Sequence, residues 1–204
     1  MHPSHRPLSG RLRRAAVACA ALFLAACAGR TGAPSSSPWP SPTSSRGTAY
    51  VAPGASLAMP VRGIRPEQLR DTYADARSGG RVHHAIDIMA SAGTPVLAAA
   101  EGTILKLRTG GLGGITIYQL GTDGRTLYYY AHLQRYAAGL REGLPIERGQ
   151  VVAYVGDTGN AGAGNYHLHF SVSRLSDPRR WWEGENVNPY PMLAGVATRS
   201  REGR

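Results

Sequence analysis

The sequence predicts an all-β fold of many short strands joined by tight turns, and three features carry that expectation. Its 204 residues include 26 Gly and 14 Pro, which interrupt the chain too often for a helix bundle. Between these breaks lie short runs rich in Val, Ile, Leu and Tyr, residue types that suit a pleated, half-buried surface. No segment repeats with the fixed period of a solenoid or propeller. At 42% hydrophobic residues a chain of this length can bury one ordinary core, so a single folded domain is expected.

Residues 1–26 read as a cleaved export signal. Arg6, Arg11, Arg13 and Arg14 precede the apolar stretch from Ala15 to Ala26, which is shorter than the roughly 20 residues a mature membrane-spanning helix needs. Its end, Leu24-Ala25-Ala26-Cys27, resembles the bacterial lipobox, which implies cleavage before Cys27 and acylation of that thiol. The other cysteine, Cys19, leaves with the signal, so no disulfide framework is expected. Ala28 follows the lipidated Cys; by resemblance to lipoprotein sorting in Gram-negative bacteria, the lack of Asp there implies the periplasmic face of the outer membrane. Residues 27–50 are rich in Ser, Pro, Gly and Thr and predict an extended linker.

The folded domain is expected over residues 51–197. Pro66 to Arg77, with Pro at its first position and Leu69 and Tyr73 four apart, predicts a short helix or turn. Strands are then expected at Thr94–Ala99, Gly102–Leu107, Ile115–Leu120, Thr126–Ala131, Val151–Val155 and Leu168–Val172. Gly121-Thr122-Asp123-Gly124 suits the turn of a hairpin. Tyr190 and Leu193 are expected to pack on the body, and residues 198–204 to form a basic, frayed tail.

The formal charge of +10 overstates any case for nucleic acid. Setting aside residues 1–26, with four arginines and no acid, lowers it to +6. Lys106 is the single lysine, and no basic run is interleaved with aromatics in the folded part, so no nucleic-acid partner is expected. The Gly-rich segments at 110–114 and 159–164 lack the Lys-Ser/Thr ending of a phosphate loop. The second reads as one wall of a cleft and the first as a hairpin end.

The chemistry lies in the histidines. A lone strand histidine is more often structural than a ligand, but four of the five beyond the signal fall in three local patterns. His167 and His169, one residue apart on a strand, share a face, with Cα atoms roughly 7 Å apart. One of the pair can bind a metal while the other acts on what the metal holds, and His83 and Asp87 bring the count to three ligands of N, N, O type, a set that suits Zn²⁺ and leaves a fourth position open. In a straight strand residues four apart lie about 13 Å from one another, so the backbone between His83 and Asp87 must bend, and Ser78-Gly79-Gly80 is a candidate source of that turn. The bland reading of Asp87 is a turn-capping carboxylate. His84 is left as a solvent-side or supporting residue.

His83-x-Ala85-Ile86-Asp87, Tyr130-Ala131-His132-Leu133 and Gly159-Asn160-Ala161 followed by His167-Leu168-His169-Phe170 together resemble the lysostaphin/LytM-type zinc endopeptidases, from about Met59 to Leu193. The resemblance implies two antiparallel sheets forming an open groove (the duplicated hybrid motif), with the metal at its floor. It implies that His83, Asp87 and His169 bind zinc, that His167 is the general base and that His132 steadies the oxyanion. It further implies a substrate of peptidoglycan stem peptides, cleaved between D-Ala and meso-diaminopimelate, and regulatory partners in the envelope. Members of this fold lacking some ligands act instead as activators of cell-wall amidases; this chain keeps all five residues. Two positions depart from the pattern: Ala85 stands where Gly is common, and Asn165-Tyr166 where Gly-Pro is common.

Overall fold

A computed structural model describes residues 56–195. The expected signal, the lipidated Cys27, the linker at 27–50 and the tail at 198–204 lie outside the described residues. In chain order the strands are β1 (Ala76–Arg77), β2 (Arg81–Val82), β3 (Ile86–Met89), β4 (Pro95–Leu97), β5 (Gly102–Arg108), β6 (Ile115–Gly121), β7 (Thr126–Tyr136), β8 (Pro145–Ile146), β9 (Val151–Val155), β10 (His167–Arg174) and β11 (Glu185–Val187). A short helix α1 (Tyr190–Ala194) follows. The strands form two antiparallel sheets of very unequal size. One is the ribbon β1–β2, and the other has nine strands along the path β11-β10-β7-β6-β5-β8, with β3 paired to β10, β9 to β7 and β4 to β9.

Period-two alternation decides which face each strand buries. On β10, Leu168, Phe170 and Val172 are fully buried, as are Ile86 on β3, Tyr130 on β7 and Ile117 on β6. Their neighbours Asp87, Tyr129, Tyr118 and His169 point to the opposite, open face. The core face is covered by the segment around Leu57, Met59 and Val61, which runs beside β4 through Ala58 N–H to Ala99 O (2.8 Å) and Leu97 N–H to Pro60 O (2.9 Å). Leu193 of α1 is buried against the same core and Tyr190 packs at its edge. The helix or turn expected at 66–77 reduces to one 3₁₀ turn, Pro66–Gln68, before the chain extends into β1.

The expected strands are present, with β7 longer than its apolar run. The hairpin turn between β6 and β7 is fixed by Asp123, whose Oδ1 accepts from the N–H groups of Arg125 and Thr126 (2.9 and 2.8 Å). The core also holds one polar knot. The Tyr130 hydroxyl donates to Gln119 Oε1 (2.9 Å) and accepts from Ala99 N–H (3.0 Å), while Gln119 Nε2 donates to Ala100 O (2.8 Å). Every buried side-chain N or O among the described residues has a partner, so this knot ties β6 and β7 to the strand-end at 99–100.

Tyr130→Phe removes the hydroxyl and leaves two buried groups without partners. We expect a loss of about 1–3 kcal/mol in folding stability, read from urea unfolding, whereas Tyr128→Phe, at a site with no such knot, costs less.

Candidate metal centre

The site forms where β10 is paired on both edges. Against β3 its register sets His169 opposite Asp87, and against β7 it sets His169 opposite Ala131. Direct opposition in an antiparallel pair brings side chains on one face together, and His169 Nδ1 lies 3.2 Å from Asp87 Oδ1. His83 arrives from outside the sheet. The bend required between His83 and Asp87 is made at His84, which adopts φ +57, a left-handed conformation uncommon for a residue with a Cβ. The glycines at 79 and 80 instead close the β1–β2 ribbon, so the turn expected from them falls at a different residue.

His84 is held in that conformation by the flanking chain. Its N–H donates to Tyr73 O (2.9 Å), its ring stacks on Tyr73 at 5.5 Å, and its Nδ1 meets Asn186 Nδ2 at 2.9 Å. Thr72 organises the loop from within. Its carbonyl accepts from His83 Nδ1 (2.9 Å), and its hydroxyl accepts from Asp87 N–H (3.1 Å). A carbonyl can only accept, so His83 carries its hydrogen on Nδ1 and turns the Nε2 lone pair inward. Nothing in the His-x-x-x-Asp motif signals Thr72; it sits 11 residues before His83.

Three donor atoms converge. His83 Nε2, His169 Nδ1 and Asp87 Oδ1 are separated by 3.0, 3.0 and 3.2 Å, and they form the group of described residues able to hold a metal. Bonds of about 2.0–2.2 Å to a tetrahedral zinc place neighbouring donors roughly 3.3–3.6 Å apart, so the cluster needs to open by only a few tenths of an ångström. The donor set fits a cation for a further reason. With the His83 lone pair fixed inward, one shared hydrogen on His169 cannot satisfy both His83 and Asp87. Asp87 Oδ2 is taken by the Arg77 guanidinium, leaving Oδ1 for the ligand role. Burial alone would raise the Asp87 carboxyl, but hydrogen bonds and charge from His169 and His83 outweigh it and hold it well below the usual carboxylate range. Burial lowers His169, against the opposing pull of Asp87, which favours the neutral ring a metal requires.

His132 and His167 flank the cluster. His132 sits on a bulge: β7 pairs Tyr130 with Ile117 and Leu133 with Ile115, so Ala131 and His132 together face one residue of β6. Here too the backbone is left-handed, with φ +60, and here β7 exchanges its partner β10 for β9. The strained turn is tied down by His132 N–H to Gly113 O (2.9 Å), His132 Nδ1 to Thr158 O (2.8 Å) and the Thr158 hydroxyl to Leu133 O (2.8 Å). Burial pushes His132 down to about 4, though its bond to Thr158 opposes this. The His132 ring lies 4.8 Å from His167 and 5.6 Å from His169, centroid to centroid. His167 Nδ1 bonds Asn165 O (2.8 Å), and its Nε2 lies 3.7 Å from Asp87 Oδ1.

All five residues picked from sequence therefore border one cleft of about 260 Å³. Both Gly-rich segments wall it. Leu112 and Gly113 come from the hairpin end, and Asn160, Ala161 and Asn165 come from the second loop. They touch one another: Gly159 has φ +72, and a Cβ there would run into the Leu112 carbonyl oxygen. Tyr129, Arg77 and Val82 also line the cleft. Sequence reasoning missed these three, although Tyr129 was legible as the open-face neighbour of Tyr130.

Two outcomes follow. Thr72→Val keeps the shape but loses a hydrogen bond at the Asp87 loop; we expect zinc affinity to fall about 10–100-fold, the usual scale for groups that orient ligands, measured by competition with a chromophoric chelator. For His132 the folded pKa lies below the unfolded one of about 6.5, so the stability its neutrality supports is present above pH 6.5 and is lost as pH falls toward 4. In metal-free protein, His132→Gln is expected to flatten the acid-side fall in unfolding free energy by up to about 1.4 kcal/mol per pH unit in that window.

Comparison with known proteins places the chain. The chain is 33% identical over 145 residues to the L-Ala--D-Glu endopeptidase of Bacillus subtilis, covering 68% of this chain and 42% of that protein. It is 36% identical over 110 residues to the DD-carboxypeptidase/endopeptidase Mpg of Neisseria meningitidis serogroup B, covering 53% and 22%. It thus spans less than half the length of these relatives. The catalytic domain of lysostaphin from Staphylococcus simulans superposes with a TM-score of 0.52 at 26% identity, covering 61% of this chain and 90% of that one. Residues 81–189, more than half of the chain and including His83, Asp87, His132, His167 and His169, match the model of peptidase family M23, and the chain belongs to that family.

Proposed function

We propose that the protein is a zinc endopeptidase that hydrolyses peptide cross-links of bacterial peptidoglycan, held by a lipid on Cys27 at the periplasmic face of the outer membrane. The observation that carries the catalytic reading is the convergence of His83 Nε2, His169 Nδ1 and Asp87 Oδ1 with two further imidazoles beside them. Zinc in such a site acts as a Lewis acid that acidifies water and polarises a carbonyl. His167 donates its Nδ1 hydrogen to Asn165 O, so its Nε2 faces the cleft as a base able to take a proton from the attacking water. His132 is oriented by the same kind of bond. Thr158 O accepts from Nδ1, so the neutral ring presents a lone pair at Nε2. It donates to an oxyanion only as imidazolium, a form that negative charge developing in the transition state favours.

The D-Ala to meso-diaminopimelate bond is the proposed target. What supports it is the resemblance to the lysostaphin/LytM-type enzymes together with the DD-carboxypeptidase/endopeptidase name of the Neisseria relative, while the Bacillus relative is named for an L-Ala--D-Glu bond. The anchor is supported by Leu24-Ala25-Ala26-Cys27 and by the Ser/Pro-rich stretch after it. All five site residues are retained, which favours an enzyme over an amidase activator.

The test incubates purified sacculi with wild type, His169→Ala and chelator-treated protein and resolves the muropeptides. Loss of cross-linked dimers with wild type alone is expected, and His167→Ala should lower kcat by about 10²–10⁴. Stoichiometric zinc binding with intact dimers would favour the activator role instead. For the anchor, labelled lipid precursor should be incorporated; a soluble, unlabelled protein that still contains Cys27 would overturn it.

A further inference from the structure

An aromatic ledge leaves the metal centre along the open face of the sheet. From His169 the ring-to-ring steps are 6.0 Å to Tyr129, 4.7 Å to Tyr118, 4.6 Å to Trp181 and 5.8 Å to Trp182. Tyr118 and Tyr129 are opposed in register on β6 and β7. The two indoles come from the loop between β10 and β11; Trp181 packs against Tyr118, and Trp182 adjoins Trp181. That loop is built to lie flat. Asp177 caps the 3₁₀ turn Pro178–Arg180 by accepting from Arg179 N–H (2.9 Å), and a Cβ on Gly184 would stand 2.7 Å from Ser173 Cβ. Arg108 lies 5.8 Å from the centre of the Trp181 ring, and Arg180 pairs with Glu183 at 2.8 Å. Trp182 is 64% exposed. An exposed indole adjoining half-buried aromatic rings, with charged groups beside them, offers an apolar face on which a flat ligand can stack.

We propose that this ledge is a subsite for the glycan strand of the substrate, seating β-1,4-linked N-acetylhexosamine rings while the attached stem peptide enters the cleft. The proposal rests on the peptidoglycan reading. A hexosamine offers an apolar C–H face to stack on a ring and a rim of hydroxyl and acetamido groups for hydrogen bonding. The ledge supplies the matching surface, with aromatic faces edged by the Arg108 guanidinium and the Arg180–Glu183 pair. Reach agrees as well. About three extended residues separate the sugar from a cross-link at the stem peptide, or roughly 10 Å; ring-to-ring steps of 6.0 and 4.7 Å lead from His169 to Tyr118, and Trp181 and Trp182 lie beyond it for sugars further along the strand. A lipid surface fits less well, because Tyr118, Tyr129 and Trp181 are half-buried and lead into the cleft, leaving Trp182 as the ledge's one exposed ring.

The experiment compares two cross-linked dimers, one bearing its disaccharides and one stripped of sugar, and takes the ratio of kcat/KM between them. Wild type is expected to prefer the sugar-bearing dimer about tenfold, with the difference in KM, the scale of one or two good aromatic contacts. Trp182→Ala should bring the ratio close to one and Trp182→Phe should restore most of it. Tryptophan emission should shift with peptide-free glycan strands in wild type and not in Trp182→Ala. A ratio unchanged by Trp182→Ala, or an emission shift given by phosphatidylethanolamine/phosphatidylglycerol vesicles and not by glycan, overturns the subsite. If wild type cleaves neither dimer, the endopeptidase reading fails by itself, and the emission assay still decides whether the ledge holds glycan.

Discussion

The antiparallel register of β10 between β3 and β7 is the constraint on which the rest depends. It sets His169 opposite Asp87 and beside Ala131, and it turns Leu168, Phe170 and Val172 into the core. A slip of one residue would exchange the two faces, burying the imidazoles and exposing the apolar set. The apolar side chains therefore enforce the chemistry. Each of Leu168, Phe170 and Val172 adds a hydrophobic penalty of about 1.5–3 kcal/mol against the slipped pairing.

Register alone delivers two of the three ligand atoms and His167. The other contributors, His83 and His132, need backbone that a regular strand does not provide. In both places a histidine or its neighbour takes a left-handed conformation, at His84 and at His132, and in both places short hydrogen bonds from adjacent chain hold it. The cost of such residues is of order 1–3 kcal/mol each, and it is offset locally. Tyr73 and Asn186 secure one, and Thr158 with Gly113 secures the other. The two Gly-rich loops meet behind His132 because Gly159 has no side chain to keep them apart. Strain is thus confined to the rim of the site, while the strands that carry the ligands remain regular.

This division explains what the sequence disclosed. Strands whose alternation runs five residues or more, such as β6, β9 and β10, were legible, because one face of each is buried and the pattern records it. The His-Leu-His pair was legible for the same reason, being part of that alternation. The short strands β1, β2, β8 and β11 carry two or three residues each, too few for a period to register. The bend at His84 was required by distance, but its position was not. Gly79-Gly80 is the stronger local turn signal, and tertiary bonds to Tyr73 and Asn186 decided otherwise. Thr72 acts through its carbonyl and hydroxyl across 11 and 15 residues, a contact that no local pattern encodes. The role expected of His132 turned on a tautomer, which Thr158 sets from 26 residues away.

On the proposed peptidase reading, the cleft walls, more than the donor cluster, would determine which peptide bond is presented. Two relatives are named for different activities, an L-Ala--D-Glu endopeptidase and a DD-carboxypeptidase/endopeptidase, and a three-atom donor cluster by itself has no contact that tells one peptide bond from another. Discrimination then falls to the groups around it. Here the β1–β2 ribbon brings Arg77 to Asp87 and Val82 to the rim, while the opposite wall offers Leu112, Asn160 and Asn165. A cationic and an apolar group on one wall, facing amides and a leucine on the other, make the groove asymmetric. With the Arg77 guanidinium already paired to Asp87 Oδ2, that wall keeps the carboxylate in place and presents Val82 as its apolar edge, while Leu112, Asn160 and Asn165 offer a different set of contacts. On the proposed peptidase reading, asymmetry of that kind would orient a bound peptide relative to His167 and His132, whose own positions are fixed by the register of β10 and the bulge of β7.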